Sequence, residues 1–182
     1  MSAAVMLVRH PPVARAWAGR CYGRSDMGWS RDGARLAAAL ADRLSGSSFG
    51  SIVHSGALRT RRLAEAIGAR IGAPVVEDGR WLERDFGTWE GRRWQAIWRE
   101  TGDAMDRLMT DPESFRAGGG ETGAELSRRA YLAWQALPRA GYTLVIAHGG
   151  PIAAIRCRLA GKPLDRMIDF VPDCGDTIVL DR

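Results

Sequence analysis

The sequence predicts an α/β fold with a mainly parallel sheet and helices on both of its faces. Short apolar runs, typical of buried strands, alternate along the chain with longer segments of helical periodicity. Parallel strands need such helical crossovers, because each strand must return to the same edge of the sheet. A chain of 182 residues is long enough to bury one such core and short for two, so we expect a single domain over residues 1–182.

The first half of the chain predicts a regular alternation of elements. The apolar run at residues 5–8 indicates a buried first strand. A loop interrupted by proline and glycine follows, and Ser30 then suits the N-cap of a helix over the Ala- and Leu-rich residues 34–44. The next three elements are a strand at Ser51–His54, a helix at Leu58–Ile71 and a third strand at Val75–Glu77.

Helical periodicity dominates the middle of the chain before strands return. Residues 92–135 carry a helical pattern that breaks at Gly102, at Pro112 and at the triple glycine 118–120. Tyr142–Ala147 is the strongest predicted strand, and we expect a Gly-Gly-Pro turn after it. The last two elements are a helix over residues 152–159 and a strand over residues 177–180.

Composition excludes several classes of protein. Hydrophobic residues make up 46% of the chain and charged residues 26%, which is ordinary globular usage and excludes a disordered chain. Apolar runs are far shorter than the ~18 residues of a membrane helix. The N-terminus enters the first strand without the features of a secretory signal, so we expect a cytoplasmic protein with no membrane partner. Three widely spaced cysteines suggest neither a disulfide framework nor a zinc site.

The charged residues leave one alternative from a different class of protein. The chain has 26 basic and 21 acidic residues, a net charge of +5, and Lys162 is its one lysine. An excess of arginine suits anionic ligands such as phosphate esters or nucleic acid. The arginine pairs at 61–62, 92–93 and 128–129 lie in separate predicted helices among acidic residues, which indicates solvated faces. We therefore expect no nucleic-acid partner, and a basic nucleic-acid-binding protein is the alternative.

Histidines and arginines gather at the ends of the predicted strands. The first strand ends in Arg9 and His10, the second in His54, and the strand before residue 148 in His148. Arg59 lies just inside the helix that follows the second strand. Ligands of open α/β sheets bind at the carboxyl ends of the strands, so this clustering predicts a functional site.

Two chemistries suit such a cluster. His10, His54 and His148 could bind zinc or iron in a metal-dependent hydrolase, although Arg9 and Arg59 would then place fixed positive charges beside a dication. In phosphoryl transfer the arginines instead bind phosphate oxygens, and a neutral histidine acts as the nucleophile and forms a phosphohistidine. The arginines favour the second chemistry.

A histidine nucleophile needs a separate proton donor for the leaving oxygen. Glu83, Asp85 and Glu90 lie together in a stretch of aromatic residues and glycines, where a partly buried carboxylic acid would suit this role. The same stretch is also typical of a surface loop anchored by tryptophans. The chemistry of these residues does not distinguish among the three carboxylates.

The order and spacing of these motifs resemble the histidine phosphatase superfamily, which has the phosphoglycerate mutase-like fold. The matching motifs extend over nearly the whole chain. They are residues 7–10, Tyr22-Gly23 with Asp26, residues 55–59, residues 83–91, residues 119–122 and residues 147–150. The resemblance implies a three-layer αβα sandwich and an enzyme that uses neither a metal nor another cofactor.

The resemblance also implies a role for each matching residue. His10 matches the nucleophile, and Glu83 matches the proton donor. The phosphate pocket is matched by Arg9, Arg59 and His148. The substrate-binding positions are Tyr22, Gly23 and Gly149. The sequence thus predicts a metal-independent phosphomonoesterase that acts on a small phosphorylated substrate through a phosphohistidine.

Several positions depart from the family pattern. Pro11 replaces the usual glycine and has no N–H to offer a phosphate oxygen. Val13 and Ala16 stand where mutase-like members carry Ser and Asn, which favours hydrolysis over the alternative, a phosphoglycerate mutase-type phosphoryl transfer. His54 stands where the family commonly has a small or hydroxylic residue, so we expect it to be structural.

Within the phosphatases, the runs at 21–23, 62–64, 89–94 and 149–152 are similar to α-ribazole phosphatase-like proteins of cobalamin biosynthesis. This resemblance implies α-ribazole 5'-phosphate as the candidate substrate, acted on by a monomer or homodimer. Tryptophans at 94 and 98 are one helical turn apart and could stack on a flat base, although packing in the core or a lid is the favoured interpretation.

Overall fold

The computed structural model describes residues 3–182 of the chain. Met1 and Ser2 lie outside the described residues. The predicted domain begins at these two residues, and the prediction that the N-terminus lacks a secretory signal also includes them. The strands are β1 (Ala4–Arg9), β2 (Ser51–His54), β3 (Val75–Glu77), β4 (Tyr142–Ala147) and β5 (Thr177–Asp181). The α-helices are α1 (Arg31–Arg43), α2 (Leu58–Ile71), α3 (Trp94–Thr101), α4 (Arg107–Thr110), α5 (Gly123–Ala136) and α6 (Gly149–Leu159).

Over residues 3–182 the five strands form one sheet in the order β3-β2-β4-β1-β5. The first four strands of this order are parallel, and β5 alone runs antiparallel, against β1. β4 enters the sheet after the other parallel strands and pairs with both β1 and β2. The predicted mainly parallel α/β fold is confirmed.

Two apolar cores cover the two faces of the sheet. Val8 and Ile146 pack on one face against the buried side chains of α1 and α2. Leu7 and Val145, one position earlier in each strand, pack on the other face against α5 and α6. This alternation follows the two-residue period of a strand and confirms the three-layer αβα sandwich. No helix within residues 3–182 combines the length and apolar character that crossing a bilayer requires.

Side-chain caps set where the main helices begin. The Oγ of Ser30 accepts the backbone N–H of Gly33 over 2.9 Å, so α1 begins three residues before the predicted run 34–44. The N–H of Leu58, which opens α2, donates to Oδ1 of Asp26 over 2.9 Å. Asp26 therefore ties the loop after β1 to the helix that carries Arg59.

One prediction of local structure was wrong. The expected Gly-Gly-Pro turn after β4 is instead the first turn of α6, which begins at Gly149. Pro151 fits there because the first turn of a helix does not use its backbone N–H groups. The middle segment 92–135 breaks where the sequence predicts: α3 ends before Gly102, α4 ends before Pro112 and α5 begins after the triple glycine, although residues 111–122 form no α-helix.

The triple glycine 118–120 packs closely against the backbone of residues 85–87. Gly87 and Gly118 both have positive φ, +51° and +57°, and a Cβ on Gly87 would stand 2.2 Å from the carbonyl oxygen of Gly118. A Cβ on Gly120 would stand 2.4 Å from the carbonyl oxygen of Asp85. The 117–121 segment therefore packs backbone against backbone on the loop that carries the candidate carboxylates.

We expect Gly120→Ala to lower the free energy of unfolding by about 1–3 kcal/mol, because the added methyl group forces the two backbones apart. Denaturant unfolding followed by circular dichroism measures this change. Gly46→Ala is the matched control, since a Cβ at Gly46 meets no atom within 4 Å among the described residues. Equal stability of the two variants would contradict the close packing.

Candidate active site

The sheet order, rather than the chain order, brings the predicted site residues together. β1, β4 and β2 are parallel neighbours, so their carboxyl ends share one edge of the sheet. His10 follows β1 and donates its backbone N–H to the carbonyl oxygen of Ala147 over 3.0 Å, and His148 follows β4. The centroids of the His10 and His148 rings are 5.2 Å apart. These two rings form the centre of the candidate site.

A backbone contact fixes the tautomer of His10. Its Nδ1 lies 2.9 Å from the carbonyl oxygen of Pro11, and a carbonyl only accepts, so Nδ1 carries the proton. Nε2 keeps its lone pair, as a nucleophilic imidazole requires. Burial lowers the pKa of His10 from 6.5 to about 3, and the nearby charge of Arg59 acts in the same direction. His10 is therefore neutral at physiological pH.

A pair of hydroxyl groups holds the ring of His148. Its Nε2 lies 2.7 Å from Oγ of Ser55, and that oxygen lies 2.8 Å from Oγ1 of Thr60. Complete burial lowers the pKa of His148 well below 6.5, and the charge of Arg59 adds to the effect. The remaining ring nitrogen, Nδ1, is buried and has no hydrogen-bond partner in residues 3–182.

Two arginines place positive charge beside both rings. Arg59, fully buried, donates to the carbonyl oxygens of Gly23 over 2.7 Å and Ser25 over 2.8 Å. Arg9 donates to the carbonyl oxygen of Pro172 over 2.5 Å. In the part of the chain that the structure describes, neither guanidinium pairs with a carboxylate, and the Nε–H of each is buried without an acceptor.

Three buried nitrogen atoms without partners belong to residues that neighbour His10. They are Nε of Arg9, Nε of Arg59 and Nδ1 of His148, counted within residues 3–182. A buried polar atom without a partner is costly, so such a group indicates a site built for a ligand. Two of the atoms belong to fixed cations, and the positive end of the α6 dipole lies directly after His148. The ligand that fits is an anion.

Glu83 reaches this pocket from the segment after β3. Both of its carboxylate oxygens lie 3.1 Å from the backbone nitrogen of Gly150, and Oε1 also accepts the N–H of Arg84 over 2.9 Å. Gly150 is the second residue of α6, so the carboxylate lies at the start of that helix beside His148. A Cβ on Gly150 would stand 2.1 Å from Oε1, so only glycine allows this approach.

The other two candidate carboxylates are engaged elsewhere. Asp85 accepts a backbone N–H of its own turn over 2.8 Å. Glu90 accepts the backbone N–H groups of Arg24 and Ser25 over 2.8 and 2.6 Å, and so fastens the loop that carries the carbonyl partners of the buried guanidinium. Of the three carboxylates, Glu83 is the one that lines the central cleft.

The residues predicted to bind substrate line this cleft together. Tyr22, Gly23 and Gly149 share it with Glu83, and its volume is about 430 Å³. The ring of Tyr22 meets the ring of His10 edge to face, with centroids 6.5 Å apart. The cleft therefore opens beside the neutral histidine and the anion pocket.

Sequence reasoning missed the far wall of the cleft. This apolar wall is formed by side chains of two segments, 102–110 and 164–171. They are Met105, Leu108, Met109, Leu164, Met167 and Ile168. In both segments the apolar residues recur at i, i+3 and i+4, which is the signal of one helical face and the pattern that could have found them.

His54 does not join the site. Its Nδ1 accepts the backbone N–H of Gly56 over 3.0 Å, whereas the next residue, Ser55, contacts His148. Across residues 3–182, no three His, Cys, Asp or Glu side chains lie close enough to hold a metal ion. The three-histidine metal site considered from the sequence therefore does not form.

Comparison with known proteins agrees with this geometry. The model of the histidine phosphatase superfamily (branch 1) matches residues 5–181. A probable phosphoglycerate mutase of Salmonella choleraesuis is 29% identical over 162 residues, which are 87% of this chain and 75% of the relative. That alignment omits part of the relative's length.

Solved structures of two phosphatases share the fold. The putative α-ribazole-5'-P phosphatase from Escherichia coli is 24% identical with a TM-score of 0.88, covering 100% of this chain and 91% of that chain. A mycobacterial glucosyl-3-phosphoglycerate phosphatase is 23% identical with a TM-score of 0.86, covering 98% and 90%. Since the family model extends over almost all of the described residues, the chain belongs to the histidine phosphatase superfamily.

Proposed function

We propose that this protein is a metal-independent phosphomonoesterase that works through a phosphohistidine on His10. The observation that carries the proposal is the set of three buried nitrogens without partners, on Arg9, Arg59 and His148, next to a neutral His10 whose Nε2 lone pair is free. A phosphoryl group supplies three oxygens to this set, and the positive end of the α6 dipole adds favourable charge for an anion. The pocket is thus matched to phosphate in charge and in number of donors.

In the first step, Nε2 of His10 attacks phosphorus in line with the ester oxygen. The P–N bond forms, the P–O bond to the leaving group breaks, and Glu83, protonated at this stage, gives its proton to the leaving oxygen. Arg9, Arg59 and His148 hold the equatorial oxygens throughout. In the second step Glu83 takes a proton from water, whose oxygen attacks phosphorus while the P–N bond breaks.

The lowered pKa of His10 serves this mechanism because only the neutral ring is a nucleophile. A histidine with a pKa of 6.5 would be partly protonated near neutrality, whereas burial and the charge of Arg59 keep this ring neutral down to about pH 3. The approach of an anionic phosphate then offsets the positive charges that the pocket concentrates.

For the ester we propose α-ribazole 5'-phosphate or a closely related phosphate of an apolar, flat alcohol. The apolar wall offers methionine, leucine and isoleucine side chains beyond the phosphate pocket. Such a wall suits a flat base better than the carboxylate of a phosphoglycerate. Trp94 also lines the cleft but packs edge to face on Phe86 at 5.6 Å, and Trp98 is exposed, so neither side chain is a dedicated stacking platform.

We expect His10→Ala to reduce phosphate release to background, and EDTA to leave the wild-type rate unchanged, because no proposed step uses a metal. The assay measures inorganic phosphate from p-nitrophenyl phosphate, α-ribazole 5'-phosphate and 3-phosphoglycerate. His54→Ala, a histidine outside the site, is the control and should remain active. Activity that survives His10→Ala or is lost in EDTA would overturn the proposal, and conversion of 3-phosphoglycerate to an isomer would favour the mutase-type transfer.

Glu83→Gln should lower kcat by ~10²–10⁴ on α-ribazole 5'-phosphate, because glutamine cannot protonate the leaving oxygen. Steady-state kinetics measures this loss, and Asp85→Asn serves as the control because Asp85 does not line the cleft. A larger loss in the control variant would reverse the assignment of the two carboxylates.

Acid should destabilise the wild type more than His10→Gln. The unfolded chain binds a proton on His10 below pH 6.5 and the folded chain only near pH 3, so between these values protonation favours unfolding. The stability difference between the two proteins should therefore fall by up to about 1.4 kcal/mol per pH unit as the pH decreases through this window. Denaturant titrations at several pH values measure it, and a constant difference would contradict a buried neutral His10.

A further inference from the structure

One partly buried ion pair near the site has no role in the proposed mechanism. Arg129, in α5, does not line the cleft and belongs to none of the predicted site residues. Glu121, from the matching motif 119–122, is buried and also has no role in the proposed chemistry. Their side chains pair through Nε–Oε1 at 2.6 Å and Nη2–Oε2 at 2.8 Å.

Arg129 uses every donor of its guanidinium. Two N–H groups bind Glu121, and the other three donate to backbone carbonyl oxygens of the segment that carries Glu83. These acceptors are the carbonyls of Arg80 at 2.8 Å, Leu82 at 2.7 Å and Glu83 at 2.8 Å. A guanidinium has five N–H donors in a rigid plane, so this side chain fixes the path of the 80–83 backbone relative to α5.

Glu121 fastens the other side of the same segment. Its backbone N–H donates to the carbonyl oxygen of Asp85 over 2.9 Å, and its own carbonyl accepts Nε of Arg84 over 2.9 Å. Glu83 therefore sits between two fastened stretches of backbone, one held by Arg129 and one by Glu121.

The carboxylate of Glu83 depends on this backbone for its position. Its hydrogen bonds within residues 3–182 come from the backbone N–H groups of Arg84 and Gly150, and no side chain orients it. A general acid must lie within hydrogen-bond reach of the leaving oxygen, and a misplacement of about 1 Å can cost on the order of 10²-fold in rate. Any movement of the 80–85 backbone is thus a movement of the proton donor.

We propose that Arg129, paired with Glu121, is a positioning residue that holds Glu83 at the leaving oxygen through the backbone. The inference rests on the proposed phosphatase mechanism. It also gives the Gly-Gly-Glu-Thr motif a purpose, since Glu121 neutralises the partly buried guanidinium of Arg129.

The test uses substrates that differ in their need for a proton. p-Nitrophenolate leaves as a stable anion, whereas a primary alkoxide must be protonated. We expect Arg129→Gln to lower kcat on a primary alkyl phosphate by about 10–100-fold, as expected for a displaced general acid, and to change kcat on p-nitrophenyl phosphate by far less. KM should change little on either ester, because the phosphate pocket is untouched.

Arg128→Gln, at the exposed neighbouring position, is the matched control and should leave both rates unchanged. Arg129→Lys should fall between wild type and Arg129→Gln, because an ammonium offers three donors in place of five. If Arg129→Gln does not fold, Glu121→Gln carries the same comparison, since it keeps the shape of the side chain and weakens the ion pair.

Equal losses of kcat on the two esters, or no loss, would overturn the positioning role and leave Arg129 structural. This result is independent of the test of the phosphohistidine mechanism. If His10→Ala abolishes turnover of both esters while Arg129→Gln affects them equally, the proposed function stands and this inference fails. If His10→Ala remains active, the proposed function fails first.

Discussion

The site depends on two guanidinium charges, one fully buried on Arg59 and one partly buried on Arg9, that have no carboxylate partner among residues 3–182. Burying a charge is costly, and backbone carbonyls offset part of that cost for Arg9 through Pro172 and for Arg59 through Gly23 and Ser25. The loop that contains Pro172 and the loop that contains residues 23–25 must therefore fold over the edge of the sheet before these charges can be buried there. Burial lowers the pKa of the neighbouring histidines, the same charges add to that effect, and together the charges make an anion the natural complement of the pocket.

Much of the fold could be predicted because its signals are local. The strand Ser51–His54 and the helix Leu58–Ile71 occur with the predicted bounds, since an apolar run and a 3.6-residue period are read within a few neighbouring residues. The start of α6 could not be predicted in the same way. Gly149, Gly150 and Pro151 carry turn signals, but proline also suits the first turn of a helix, and the approach of a carboxylate requires the glycine at 150.

The sequence predicts that the strand-end residues lie close together. It is less informative about which of several similar side chains contacts the site. The chemistry of the residues left Glu83, Asp85 and Glu90 equivalent, and only the family resemblance indicated Glu83. The three differ through the packing of residues 117–121 on the 85–89 loop, a contact between distant segments. Arg128 and Arg129 are likewise the same residue type. Only the rotation of α5 directs the guanidinium of Arg129 to the backbone of Glu83 and leaves Arg128 exposed.

The late entry of β4 into the sheet has a consequence for how the protein is made. On the ribosome, β1 and β2 emerge long before residues 142–147, and in the finished sheet they never pair with each other but are joined by β4. The nascent chain therefore carries open strand edges until most of its length has been translated, which is the period when such edges invite wrong pairing. His10 is synthesised among the first residues, yet its pocket is complete only when His148 and Pro172 have followed near the end of translation.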